Sequence, residues 1–388
     1  MSFNSDRFVF WLCCGATTCV AISANVPPVF FTTFSDVFGG AAGLTDEQIG
    51  RIPAVVFGGF VAGIAIASPI ADAWGARVFV ISGLLSLSAG LSLLGLAASY
   101  TVLLLSAFLL GLGAGLQEVV LSPVVAALQP HRRATLLNWM HASFSIGGVA
   151  TVAIGSASLH FGVPWRVTTF AFVSVPFVML IGFALVRRLP LLHEEAAHEP
   201  LRRMVLHPFL WVAVALIALG GGTELGIGQW LPAFAERSLG FTKASAALVL
   251  AGFSLAMFVG RMASGHWLAN VNPAKMMLAF CAGCVVLLVV AAFVPQQGVA
   301  LAACIALGFA VSCYWPTALS IAGNRYPGGG AAMFGLLSAF GNAGCMLVPW
   351  VVGIVAERST LNTGMASIAV FPTVMILLLL GLMRQSKC

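Results

Sequence analysis

An all-α integral membrane protein, twelve transmembrane helices in two pseudo-symmetric bundles of six, is the fold class that three observations predict. The chain of 388 residues is 60% hydrophobic and only 8% charged, with a mean hydropathy of +1.03. Soluble chains carry about 25% charged residues, so a soluble domain is excluded. Apolar runs of about 20 to 28 residues recur along the whole sequence, the length a helix needs to cross roughly 30 Å of hydrocarbon at 1.5 Å per residue. Strand-like alternation is absent, which favours helices over a barrel.

Taken in order, the expected spans are 9–33, 49–71, 78–99, 101–127, 135–160 and 167–188, then 208–235, 243–269, 275–294, 299–324, 330–356 and 363–384. Arg7 precedes an unbroken apolar run without a small-residue cleavage site, so the first helix is expected to be retained rather than removed as a signal peptide. The longest polar break, Arg187 to His207, holds Arg187, Arg188, His193, Glu194, Glu195, His198, Glu199, Arg202 and Arg203. It divides the spans six and six, giving bundles over 1–188 and 207–388 with a linker over 189–206.

Charge orients this layout. With both ends on one side, that side collects Arg7, Arg77, Arg132, Arg133, Arg187, Arg188, Arg202, Arg203, Arg261, Lys275, Arg325, Arg384 and Lys387, thirteen in all. The other side has five: Arg51, Arg166, Arg237, Lys243 and Arg358. The positive-inside rule then places the termini and the linker in the cytoplasm of a cell membrane, with a bacterial inner membrane expected. A net charge of +6 that resides in loops removes a nucleic-acid partner. Of the nine cysteines, Cys13, Cys14, Cys281 and Cys284 lie in apolar runs away from histidine clusters, which points to small packing residues rather than metal ligands or disulfides. No cofactor or metal is expected, and nothing in the sequence requires more than a monomer.

Two carboxylates stand out because charge deep in a membrane is costly and usually functional. Glu118, beside Gln117 in GLGAGLQEVVLSPVV, and Glu224, in GGGTELGIGQWLPAF, each sit near the middle of a span as lone acids, and both are expected to border one water-reachable chamber. Around them the buried polar inventory is short. In the first half it comprises Asn25, Gln117, Glu118, Asn138, His141, Ser143 and Ser145. Asn138, His141 and Ser145 fall at i, i+3 and i+7 and line one helix face, a row of donors and acceptors that suits a polyol. Glue between helices is the competing reading for that row, and capping of a helix end for His141.

In the second half, Glu224, Gln229 and Trp230 lie among Gly220, Gly221, Gly222, Gly226 and Gly228. So many glycines permit either local unwinding toward a ligand or close helix packing. Tyr314, Trp315, Pro316 and Thr317 form an aromatic and proline break in the tenth span, and Asn342 sits in the eleventh. Aromatic faces stack on the C–H face of a sugar ring. Trp139, Trp165 and Trp350 are assigned to an interfacial belt.

After the second span, SPIADAWGARVFV places Asp72, Gly75 and Arg77 as a gating latch, a carboxylate and an arginine at a helix turn. It resembles the cytoplasmic loop motif of the major facilitator superfamily, with Ser68 in place of the motif's first glycine. A degenerate copy, GRMASGHWLANVNPAK, follows the eighth span with Asn270 where the acid would stand. Together with GLQEVVLSPVVAALQP, LLNWMHASFSIGGV and SCYWPTALSIAGNRYPG, the chain resembles the fucose/galactose/gluconate:proton symporter family over nearly its whole length.

The resemblance implies the major facilitator fold and alternating-access uptake of a monosaccharide or related polyol, with a proton as coupling ion. It puts Glu118 in the family's buried glutamate position and Asn138 in its sugar-contacting position. The first-helix aspartate of family proton symporters is absent, since Ala24 stands there beside Asn25. Glu118 is therefore the expected proton carrier, with Glu224 sharing the task or binding hydroxyls. Sodium-coupled or uncoupled sugar transport, and efflux of an amphipathic compound, remain the alternatives within transport. An enzyme is not expected, because no nucleophile, metal or phosphate motif is present.

Overall fold

The computed structural model describes residues 6–129, 133–186, 189–190, 201–266, 271–326 and 330–385. Among them, twelve stretches are long and apolar enough to cross a membrane. The first half contains α1 (Asp6–Val29), α2 (Phe31–Phe38), α3 (Asp46–Ala67), α4 (Ala71–Trp74), α5 (Ala76–Leu96), α6 (Tyr100–Leu128), α7 (Arg133–His160) and α8 (Trp165–Leu185). The second half contains α9 (Leu201–Met204), α10 (Pro208–Arg237), α11 (Lys243–His266), α12 (Pro273–Phe293), α13 (Gln297–Val311), α14 (Tyr314–Arg325), α15 (Gly330–Arg358), α16 (Leu361–Ser367) and α17 (Val370–Gln385).

Local chemistry sets the ends of these helices. The first expected span is interrupted at Phe30, because Pro27 and Pro28 bring no N–H to the ladder and α2 begins afresh one residue later. The Ser99 side chain caps α6 by accepting from the Val102 N–H, and Asn272 caps α12 by accepting from the N–H groups of Ala274 and Lys275. The expected break in the tenth span is present: α13 stops at Val311 and α14 starts at Tyr314.

Two compact units divide the chain, one formed by 1–44 with 55–194, the other by 45–54 with 195–388. In the first, α5 packs on α6 and α8, and α1 on α7. Glycines let backbones touch: a Cβ at Gly111 of α6 would fall 1.7 Å from the Val56 carbonyl oxygen of α3, and one at Gly147 of α7 would lie 2.9 Å from Thr18 of α1. The second unit repeats the scheme. A Cβ at Gly308 of α13 would sit 2.0 Å from the Phe253 oxygen of α11, and one at Gly344 of α15 would sit 1.9 Å from the Ala218 oxygen of α10. The fourth span therefore meets the second as the tenth meets the eighth, and the fifth meets the first as the eleventh meets the seventh.

The first turns of α3 belong to the second unit. Arg237 donates to Asp46 Oδ1 at 2.6 Å, the Trp350 indole N–H donates to Glu47 Oε1, and the Glu47 N–H donates to Glu357 Oε2 at 3.0 Å. Of the tryptophans assigned to a belt, Trp139 and Trp350 are exposed, whereas Trp165 is buried against Phe34 and Phe38, with the Arg166 guanidinium 4.5 Å from its ring. The belt assignment is corrected for Trp165.

Candidate transport site

Within the first unit, α6 carries Glu118 seven residues beyond Gly111, whose contact fixes the helix on α3. Its side chain is exposed, and no hydrogen bond or ion pair reaches it among the described residues. Gln117 next to it has the opposite fate. It is fully buried against Gly83 of α5, its amide donating to the Gly113 carbonyl of its own helix, so its place is in the α5–α6 contact and not beside Glu118.

The polar row on α7 has a counterpart on α1. The Asn25 amide donates to the Ala21 carbonyl and lies over Gly148, where a Cβ would come within 3.2 Å of its nitrogen. Gly148 is three residues beyond Ser145 and seven beyond His141, so Asn25 extends the same face. His141 is exposed and interacts with another group of the protein. The side chains of Asn138 and Asp72 lie outside the described residues. Of the expected latch, Gly75 adopts a left-handed φ of 79° at the turn between α4 and α5, and Arg77 donates to the Ala184 carbonyl at the end of α8.

In the second unit Glu224 is not a lone acid. The Arg261 guanidinium of α11 donates from Nη2 to Glu224 Oε1 at 2.9 Å, and this corrects two expectations together. Arg261 lies inside a spanning helix rather than in a loop, because its partner on α10 offsets the cost of taking a cation into the bundle. The signal was available in the sequence, since an arginine after FSLAMFVG in an apolar run calls for an acid. The helix α10 is also continuous from Pro208 to Arg237, so its glycines serve close packing and not unwinding. Gly221 lies under the Trp315 ring, and Gly222 meets Val348 and Gly344 of α15.

Four other expected ligands of the second half are buried. Trp230 is completely buried and donates to the Pro349 carbonyl at 2.8 Å. Tyr314 is completely buried, its hydroxyl donating to the Phe280 carbonyl at 3.4 Å, and Gln229 is buried with a partner of its own. Asn342 is nearly covered and donates to the Ser338 carbonyl of its own helix. Trp315 alone of the aromatic group keeps a half-open ring, resting on Gly221 and Gly341. Among the described residues, no group of three or more His, Cys, Asp or Glu is placed to hold a metal ion.

Twelve spans, glycine contacts repeated between the halves and a polar residue set inside each half define an architecture that can be compared with known proteins. The family model described as Major Facilitator Superfamily matches residues 12–349, with a second match over 237–387. The chain belongs to the Major Facilitator Superfamily. It is accordingly a membrane transporter and not an enzyme. A probable nitrate/nitrite transporter, NarK2 of Mycobacterium tuberculosis, is 25% identical over 315 residues, covering 75% of each chain. Among solved structures, a bacterial homologue of the human lysosomal transporter Spinster superposes with a TM-score of 0.77 at 18% identity, over 97% of both chains. The E. coli fucose:proton symporter FucP superposes with a TM-score of 0.65 at 20% identity, over 98% of both. At these identities the structural likeness shows the fold.

Proposed function

We propose that this transporter takes up a monosaccharide or related polyol by alternating access, coupled to protons through Glu118. The observation that carries the reading is the contrast between the two membrane-embedded acids. Glu224 is tied to a guanidinium, whereas Glu118 has an open face and no partner among the described residues. A carboxylate in mid-span cannot stay ionised against lipid, so its open face needs water, ligand or a proton. The same unit also carries donor and acceptor chemistry, with Asn25, His141 and Ser145 on one face. The sequence resemblance to the fucose/galactose/gluconate:proton symporters supports the same cargo class.

Reconstitution into proteoliposomes tests this. With an inward proton gradient, labelled hexose should accumulate above equilibrium in wild type. Glu118→Gln should abolish uphill accumulation while exchange of internal for external sugar continues. Uphill uptake that survives the substitution, or that follows a sodium gradient instead, removes Glu118 from the coupling role.

A further inference from the structure

We infer that Arg261 receives a carboxylate of the transported molecule, which makes the cargo a cyclic sugar acid, a hexuronate. The inference rests on the sugar reading above and adds the charge and ring form of the substrate.

The Glu224–Arg261 pair is bonded less completely than the two groups allow. A guanidinium facing a carboxylate can form a two-bond fork, yet here only Nη2 to Oε1 is made. Arg261 Nε and Glu224 Oε2 are both sealed from solvent and without a hydrogen-bond partner among the described residues. Buried pairs seldom stabilise a fold better than apolar residues of the same volume, so one left half-bonded is not a stability device. The two members are also unequally covered. The Arg261 side chain is 36% exposed and the Glu224 side chain 11%, so the arginine is the member with an open face. What that face is built to meet is an anion.

The neighbourhood specifies more than charge. Trp315 rests on Gly221, one helical turn from Glu224 on α10, and on Gly341, which is followed by Asn342 on α15. A Cβ at either glycine would come within 2.9 or 2.5 Å of the indole, so both are open to seat the ring. With the edge of its six-membered ring seated on the two glycines and the residue only partly buried, Trp315 is the aromatic group that can stack on the C–H face of a pyranose. Among the described residues, the Cys313 and Cys345 thiols, both buried, also lie within reach of the Glu224 charge. An inorganic anion or open-chain acid would leave the indole unused, and a neutral sugar would leave the guanidinium unused. A ring bearing a carboxylate uses both. Glu224 holds Arg261 in place by its single bond and leaves the rest of the guanidinium's donors for that carboxylate.

Calorimetric titration of the purified full-length protein with glucuronate, glucose and nitrate tests the inference. Wild type should bind glucuronate at least about tenfold more tightly than glucose, the scale of one charge-assisted contact. Arg261→Gln should collapse that ratio to near one. Arg261→Lys, which keeps the charge and loses the fork, should give an intermediate ratio and decides the matter if the glutamine variant does not fold. Glucose bound as tightly as glucuronate by wild type, or a preference that persists in Arg261→Gln, overturns this inference and leaves the sugar reading standing. Failure of both sugars to bind, with or without binding of nitrate, overturns both.

Discussion

Glu224 and Arg261 share one bond but differ in cover, and that difference decides which is costlier to remove. Breaking a fully buried pair from one side costs about 3–5 kcal/mol because the other charge is stranded. The opening at Arg261 lowers this to roughly 1–3 kcal/mol here. Arg261→Gln strands the more deeply covered carboxylate, so it should lower the melting temperature more than Glu224→Gln, which strands the less covered arginine. The double substitution should recover part of the loss, and equal effects of the two single changes would show that burial does not govern the pair. At this scale the sequence was informative about cost, and about Arg261 needing an acid, but silent about which acid it meets. Charge in an apolar run marked Glu118 and Glu224 at once, since no structure is needed to price it. That one acid has an arginine 37 residues away and the other has no partner among the described residues depends on which helix faces meet, which hydropathy does not report. Gln117 was misgrouped with its neighbour for the same reason: adjacent residues on a helix point about 100° apart, and one faces α5.

Between elements, glycine contacts carry the pseudo-symmetry. Setting Gly308 against Gly111 aligns Trp315 with Glu118, each seven residues further on. Setting Ala218 against the Thr18 to Ala21 turn brings Glu224 over the stretch that contains Asn25. The polar positions of one bundle are thus occupied in the other by different chemistry, which is how a duplicated scaffold gives two unlike faces. The glycine-rich run of α10 was legible as special but not as to purpose, because backbone freedom and absence of bulk look alike in a sequence. The contacts separate them and give a test. Gly344→Ala pushes a methyl to 1.9 Å from a backbone oxygen and must part α15 from α10, at about 1–3 kcal/mol for overpacking. Gly283→Ala on α12 meets nothing within 4 Å and should be neutral or stabilising by up to about 1 kcal/mol. Melting temperatures in detergent that fall equally for both would assign the loss to helix propensity and not to contact.

For the molecule as a whole, the number and limits of the spans were readable because each must bury its own backbone bonds in an apolar run of fixed length. The seventh span, for example, was expected over 208–235 and runs from Pro208 to Arg237. Orientation is a weaker signal, carried by loop cations alone, and moving Arg261 into a helix leaves twelve of the thirteen on the expected cytoplasmic side against five. The asymmetry survives, so the termini are still expected inside. Cysteine accessibility offers a clean check, because eight of the nine native cysteines are buried and the ninth is the terminal Cys388. On a Cys388→Ser background, a membrane-impermeant maleimide should label Lys243→Cys at the start of α11 in intact cells. It should label Lys275→Cys at the start of α12 only after the membrane is opened. These two positions bracket a single spanning helix, α11, so they must report opposite sides, and the reverse pattern would invert the topology. Inversion would leave Glu118 and the Glu224–Arg261 pair where they are in the fold and would turn proposed uptake into export.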